Sequence, residues 1–358
     1  MLSAASLQED IAGDSPTLDQ FRKSCLLVFY EYHQCPGQQA WMRVGKLVRW
    51  AYWTGLNQIE NLHQVSPQWK DLTEDCLEEW RLVWWCIYCL DSYANLATGM
   101  PYEIDERLIH TALPQGPQSP DWNRHVFLPY RQDGLLDLVQ KILSDSPPQT
   151  AAREIQIVSI TILRHVGRAT QLRALGGTWE ECIALTAKAE RRLSTLRLAL
   201  PGNFFNPRRN AFTNESASDH HFRLVTIHHM LMAQLLAVLS YCGHLPEGEE
   251  WLQNWQQVLE ICQDVAALAK QWNSSFCLSV DPALSIIAFV SLVFLDLHLR
   301  FTDSSGGTAS ANSLHANIEH CEAVLLLFLE QFAKSWTQPR LLIRKSVPVL
   351  PPSSCGTY

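Results

Sequence analysis

The chain has 358 residues, of which 47% are hydrophobic and 18% charged, so it can bury a substantial core and is not a disordered polypeptide. A formal net charge of −8 argues against a broad phosphate-binding face, because nucleic-acid affinity depends on clustered Lys and Arg. Several of the eleven cysteines fall in amphipathic helical runs, which indicates buried thiols in a reducing compartment.

Hydrophobic residues recur with the helical period of 3.6 along the whole sequence, which predicts an all-α multi-helix bundle. The first apolar stripes cover residues 18–32 and 41–51. A longer stripe over 72–97 is predicted to end where Gly99 can adopt the left-handed cap and Pro101 prevents continuation.

Residues 114–150 are rich in Pro, Gln, Gly and Ser, with a short helical pattern over 134–143, so we expect the first packed unit to close before this connection. A second helical block follows over 151–336. Within it, Thr178 and Glu181 form a capping box. The most apolar run, 284–295, is shorter than the ~20 residues that span a bilayer, so we expect no membrane segment.

The predicted organisation is a disordered N-terminus over 1–16, one helical domain over 17–336 and a flexible tail over 337–358, beginning just before Pro339. No secretory signal or transit peptide is expected, since residues 1–20 contain neither Lys nor Arg. The predicted core includes residues at the centres of the apolar stripes: Trp80, Trp84, Ile87, Trp255, Cys262 and Phe328.

The spacings of the cysteines and histidines do not match those of known metal sites. Cys86 and Cys89 form the only C-x-x-C pair, and a structural zinc site usually needs two such pairs or a Cys pair with a His pair. The histidine pairs 220–221 and 228–229 are seven residues apart, ~10 Å along a helix and too far for one ion. His315 and His320 are five apart and point in different directions. We therefore expect no metal and no cofactor.

Catalytic motifs are equally absent from the sequence. Neither a nucleophile elbow nor a phosphate-binding or dinucleotide-binding glycine loop occurs. Glu78 and Glu79 are adjacent and are predicted to form a solvated helix face. Asp91 lies on the same face as Trp80 and Trp84, so it needs a partner if buried, and Arg49 is the candidate. No catalytic residue is assigned.

One stretch resembles a known family. Residues 78–85 read acidic-acidic-Trp-Arg-Leu-Val-Trp-Trp and are followed by Leu90-Asp91, Gly99-Met100-Pro101 and Leu113-Pro114. This order resembles the signature of the fungal-specific transcription factor domain, the helical middle region of zinc binuclear cluster regulators. The positions that carry the resemblance are Arg49, Gly55, Arg81, Trp84, Trp85, Asp91, Gly99, Pro101, Asp105 and Pro114. The resemblance covers about 17–114 and becomes diffuse up to 336.

The resemblance implies a nuclear transcription regulator that acts through DNA-bound regulators or the transcription machinery, with a small-molecule effector as a further candidate partner. Control of secondary-metabolite genes is its expected setting. Family members usually carry a six-cysteine zinc cluster that reads DNA, and this sequence shows no such pattern, so no direct DNA binding is expected. The alternatives are a truncated remnant, an interaction scaffold and, less favoured, a helical-bundle enzyme.

Overall fold

The computed structural model describes residues 16–115, 125–129, 134–146, 148–209, 215–242, 248–303 and 309–346. These ranges contain thirteen α-helices and no strand, which confirms the predicted all-α class. The helices are α1 (Leu18–Gln34), α2 (Gln38–Thr54), α3 (Ile59–Val65), α4 (Pro67–Lys70), α5 (Glu74–Thr98), α6 (Leu135–Asp145), α7 (Pro148–Ala174), α8 (Trp179–Ala199), α9 (Ala217–Cys242), α10 (Glu249–Ala269), α11 (Leu284–Asp303), α12 (Ala309–Ala333) and α13 (Thr337–Ser346).

Local capping chemistry sets several helix ends. The Thr73 hydroxyl accepts a hydrogen bond from the Cys76 amide and begins α5, and Gly99, with φ of 70°, ends it in the left-handed conformation. Thr178 and Glu181 form a capping box at the start of α8. The predicted cap at Gly99 and the predicted capping box at Thr178 are thus confirmed.

The chain divides into two compact units, 1–261 and 262–358, and the boundary lies inside α10. In the N-terminal unit, α7 packs against α5, α8 and α9, and α5 also packs against α1 and α2. In the C-terminal unit, α11, α12 and α13 pack together. The expectation that the first packed unit closes before the 114–150 connection is wrong, because α7, beyond that connection, covers a face of α5.

The predicted core residues are buried with one exception. Trp84, Ile87 and Cys262 are fully buried, and Trp80 and Phe328 are at most 9% exposed. Trp255 is only half-buried, and its ring stacks on that of Trp251 one turn earlier in α10. The exception arises because periodicity identifies the apolar face of α10 but not how deeply each position on it is covered.

The expectation that a flexible tail begins at residue 337 is wrong, since α13 occupies residues 337–346. Pro339 does not end the preceding helix but lies in the first turn of α13, where a missing N–H group costs nothing. Trp336, just before α13, is buried and donates its indole N–H to the Cys277 carbonyl at 2.9 Å. Residues 347–358 and 1–15 lie outside the described part of the chain.

Helix α9 has the length and hydropathy of a membrane span, but 72% of its most apolar window is buried inside the protein. It packs against α7 and α8, as a core helix does. Its apolar surface is therefore explained by packing within the N-terminal unit.

Substituting Gly55 should destabilise the fold far more than substituting Gly37 at the other end of α2. Gly55 has φ of 80°, and a Cβ there would lie 2.5 Å from Leu62 Cδ1, whereas Gly37 is extended with no atom within 4 Å of its Cβ position. We expect Gly55→Ala to lower the free energy of unfolding by about 1–3 kcal/mol, and Gly37→Ala to change it by a few tenths. Urea denaturation measures both, and equal effects would contradict the strain at Gly55.

Candidate functional site

A buried ion pair joins α5 to α7 at the centre of the N-terminal unit. Arg164 Nη1 donates to Asp91 Oδ2 at 2.8 Å, and the two side chains are 1% and 0% exposed. The remaining donors of Arg164 reach Ser92 Oγ at 2.9 Å, the Ile104 carbonyl at 2.8 Å and Glu106 Oε1 at 3.1 Å. Arg164 is thus hydrogen-bonded through all three guanidinium nitrogens, as burial of its charge requires.

The acceptor side of this pair is equally complete. Asp91 Oδ1 accepts from the Glu103 amide at 3.1 Å and from Asn95 Nδ2 at 2.6 Å. Asp91 Oδ2 also accepts from the Ile104 amide at 3.2 Å. The carboxylate therefore fixes the backbone of 103–104, which belongs to the segment 99–115 that follows α5. We call residues 99–115 the strap.

Arg49, the candidate partner of Asp91 from the sequence, does not contact it. The Arg49 side chain is 61% exposed and forms an ion pair with Glu103 at 3.2 Å. Asp91 is buried, and its partner is Arg164, 73 residues further along the chain. The Arg49 prediction failed because sequence proximity to the second stripe carries no information on which helix covers Asp91.

Glu106 in the strap extends the network to α7 and α8. Burial opposes ionisation of Glu106, but the hydrogen bond from His165 and the charges of Arg164 and Arg168 outweigh it and hold its pKa well below the usual 4.5. His165 Nε2 contacts Glu106 Oε2 at 2.6 Å, and Arg192 Nη1 contacts His165 Nδ1 at 2.8 Å.

This pattern assigns His165 the neutral tautomer with its proton on Nε2, donating to Glu106 and accepting from Arg192. Burial lowers the pKa of His165 more than the contact with Glu106 raises it, which agrees with a neutral ring at pH 7.

Two tyrosine rings also flank Arg164, with its guanidinium carbon 4.6 Å from the Tyr88 centroid and 4.2 Å from that of Tyr102.

Arg81 forms a second buried charge cluster at the other end of the strap. Its Nε donates to Glu60 Oε1 at 2.7 Å and its Nη1 to Glu74 Oε1 at 2.5 Å. The second oxygen of Glu60 accepts from the Ala112 amide at 3.1 Å. The cluster therefore joins α3 and α5 to the strap.

The prediction that Glu78 and Glu79 form one solvated face is wrong for Glu78. Glu78 is 4% exposed and lies 3.4 Å from Arg81 Nη1, whereas Glu79 is only half-buried and pairs with Arg22 at 2.9 Å. Glu78 can be buried because Arg81, one turn later on the same helix, points inward and neutralises it.

The tryptophans of the signature complete the contacts of the strap. Trp85 donates its indole N–H to the Ala112 carbonyl at 2.7 Å, beside the buried Pro114. Trp84 is fully buried and packs edge-to-face on Tyr52, with ring centroids 5.9 Å apart. The hydroxyl of Tyr52 in turn accepts from the Asp105 amide at 2.9 Å, so both indoles help to fix the strap.

The remaining signature positions shape the backbone. Gly55 supplies the left-handed residue that ends α2, and Asn57, two residues later, donates to the Leu108 carbonyl at 2.8 Å. Asp105 caps a short 3-10 turn over Glu106–Leu108 by accepting from the Arg107 amide. Gly99 and Pro101 are exposed and redirect the chain from α5 into the strap.

The structure thus brings together nearly all the signature residues, on the strap or against it. Those with buried side-chain contacts help to fix the strap, whereas Arg49 reaches it only through an exposed ion pair with Glu103. Sequence reasoning missed Arg164, Glu106, His165 and Glu60. The burial of Arg164 could have been suspected from the sequence, because it is a charged residue between the apolar Leu163 and Val166, both of which are buried. Asp91 is likewise a charged residue within an apolar stripe.

A histidine with two hydroxyl partners lies deeper in the unit. His229 is fully buried, with Nε2 2.6 Å from the Tyr93 hydroxyl and Nδ1 2.9 Å from Ser159 Oγ. Burial lowers the pKa of His229 to about 3, and that of His228 to about 4. Among the described residues, no group of three or more His, Cys, Asp or Glu side chains is placed to hold a metal ion.

One family model matches the first part of the chain. Residues 1–162 match the model of the fungal specific transcription factor domain. The resemblance seen over 17–114 is thereby confirmed. No solved structure matches the chain.

Three curated fungal proteins are similar to parts of this chain. The transcription factor tazR of Aspergillus terreus is 27% identical over 172 residues, 47% of this chain and 26% of its own length. The pigment biosynthesis transcriptional activator pigB of Monascus ruber is 28% identical over 100 residues, 27% of this chain and 18% of its own. The ascochitine biosynthesis cluster transcriptional regulator of Didymella fabae is 25% identical over 145 residues, 40% and 25% respectively. The matched regions cover about a quarter or less of each relative.

Asp91 and Arg164 should show strong energetic coupling. Breaking a buried pair by removing one partner costs about 3–5 kcal/mol, because the other charge is left buried and unpaired. We expect Asp91→Ala and Arg164→Met each to lower the free energy of unfolding by about this amount, and the double variant to lose clearly less than the sum. Urea denaturation of a double-mutant cycle measures this. The matched cycle of Asp91→Ala with Arg49→Met should be additive, and additivity for Arg164 as well would contradict the pairing.

The ionised carboxylate of Glu106 should stabilise the folded chain at neutral pH and lose this effect as the solution becomes acidic. Its pKa is lowered in the folded state, so its contribution is complete above the unfolded value, near 4.3, and is lost as the pH falls towards the folded value. The difference in unfolding free energy between wild type and Glu106→Gln should therefore be largest above pH 5 and shrink below pH 4. Denaturation curves from pH 7 to pH 3 check this, and a constant difference would contradict it.

Proposed function

Because residues 1–162 carry a fungal specific transcription factor domain, we propose that the chain regulates transcription as the helical regulatory part of a fungal regulator. The observation that carries the proposal is the way the signature residues are used. Trp85 and Asp91 bind the strap directly, and Arg81 holds Glu60, which binds the Ala112 amide of the strap, so the signature encodes a defined helical scaffold. Such a scaffold suits a domain that binds partners or an effector.

An enzymatic role is the less favoured reading, and we propose that the chain is not an enzyme. The polar groups around Arg164 and Arg81 satisfy one another, and His229 is enclosed among packed helices. The cavity beside the strap network, lined by Thr161, Ile162 and Arg192 among others, has about 20 Å³, room for about one water molecule. Catalysis would need convergent groups around a space that admits a substrate.

The relatives supply the proposed setting. The names of the Monascus ruber and Didymella fabae proteins refer to pigment and ascochitine biosynthesis. We therefore propose that this chain acts in the nucleus on a secondary-metabolite gene cluster, through DNA-bound regulators or the transcription machinery. With a net charge of −8, the 358 residues are expected to leave DNA contact to a partner. A truncated remnant or an interaction scaffold is the alternative.

A reporter experiment tests the proposed role. Residues 1–358 are fused to an unrelated DNA-binding domain and brought to a promoter, where a regulatory domain should raise or lower expression. The fusion carrying Arg164→Met should lose most of the effect, because the strap is released, whereas Arg49→Met, which removes only an exposed ion pair with Glu103, should retain it. No change in expression by a folded, nuclear wild-type fusion would favour the remnant. Specific DNA binding by the untagged chain in a gel shift would contradict the expected dependence on a partner.

A further inference from the structure

Two cysteines meet across the interface between α1 and α5. Cys25 in α1 is buried, with 6% of its surface exposed, whereas Cys86 in α5 is exposed. The two thiol groups are close enough for Cys86 to act directly on the ionisation of Cys25 and raise its pKa. Neither residue belongs to the signature or to the charge clusters described above.

The packing register of the two helices independently places these thiols side by side. Helix α1 runs parallel to α5, because Phe21 packs on Trp80 near the start of the interface and Tyr32 donates to the Tyr93 carbonyl further along. The Phe21–Trp80 pair is separated by 59 residues and the Tyr32–Tyr93 pair by 61, and Cys25 and Cys86, which lie between these pairs along both helices, are also 61 residues apart. The thiol contact is therefore fixed by aromatic packing on both sides of it.

The two thiols differ in reactivity. Cys86 is open to solvent and can meet a small reagent. The Cys86 thiol and burial both raise the pKa of Cys25 well above its usual range, so Cys25 stays protonated and is shielded from outside reagents. An accessible thiol in contact with a shielded one is the arrangement of an attacking cysteine beside a resolving cysteine.

We propose that Cys25 and Cys86 form a redox-sensitive modification site, at which a low-molecular-mass disulfide oxidises the pair to a disulfide between α1 and α5. The Cys86 thiolate attacks one sulfur of the reagent, which breaks the reagent's S–S bond and releases one small thiol. Cys25 then attacks the sulfur of Cys86, which breaks the mixed disulfide, and the proton of Cys25 passes to the departing thiolate, so that the second small thiol leaves. Two protein thiols are oxidised and one reagent disulfide is reduced to two thiols. The inference does not depend on the proposed regulatory role.

The position of the pair favours a reversible bond. A disulfide at the solvent-facing edge of a helix interface is open to attack by small thiols, unlike a structural disulfide in a core. In a reducing compartment it would form only under oxidising conditions. Once formed, it closes a long loop and ties α1 to α5, which should stabilise the N-terminal unit against unfolding.

The full chain treated with oxidised glutathione under native conditions tests the proposal. After acid quench and alkylation of the remaining thiols, peptide mapping by mass spectrometry should find a Cys25–Cys86 cross-link that dithiothreitol reverses. Cys25→Ser should stop at the mixed disulfide between glutathione and Cys86. Cys86→Ser should slow modification of Cys25 at least tenfold. Cys35→Ser, which removes an exposed cysteine at the end of α1, should leave the cross-link unchanged.

Three results would overturn the proposal. One is a Cys86–Cys89 disulfide within α5 as the main product. Another is a wild-type protein that accumulates only the mixed disulfide. The third is modification of Cys25 in Cys86→Ser at the wild-type rate. Circular dichroism of each variant confirms that it is folded, and the wild-type product decides the matter even if a serine variant does not fold.

Discussion

The N-terminal unit depends on one buried ion pair, between Asp91 of α5 and Arg164 of α7. Removing two charges from water costs several kcal/mol per ion, and the cost is offset only when every donor and acceptor is satisfied. Here the hydrogen-bonding groups are shared with the strap, whose Glu103 and Ile104 amides and Ile104 carbonyl complete the coordination. The two helices and the strap therefore require one another.

This dependence makes the packed unit larger than the region that matches the family. The match ends at residue 162, and Arg164 lies two residues beyond it. Helix α7 also packs against α8 and α9, so the geometry of the signature region is tied to the second helical block. Binding of another molecule to α7 would thus change the same contacts that hold the strap, because Arg164 lies on α7.

The features that could be predicted from the sequence are local ones. The period of 3.6, the caps at Gly99 and Thr178 and the burial of Asp91 each follow from residues within a few turns. The partner of Asp91 could not be predicted, because Arg164 is 73 residues away across the 114–150 connection. The burial of Glu78 was missed since it depends on the inward direction of the Arg81 side chain, which periodicity does not give. The same limit explains α13, whose proline is compatible with ending one helix or beginning the next.

Hydrogen–deuterium exchange of the full chain tests most directly whether Arg164 holds the strap. Peptides covering 99–115 are compared between wild type, Arg164→Met and Arg49→Met under native conditions. The account predicts that Arg164→Met releases the amides of Glu103 and Ile104, with faster exchange across the strap. Arg49→Met loses only an exposed ion pair with Glu103, which contributes little, and should exchange nearly like wild type. Unchanged protection of the strap in folded Arg164→Met would contradict the central role of the buried pair.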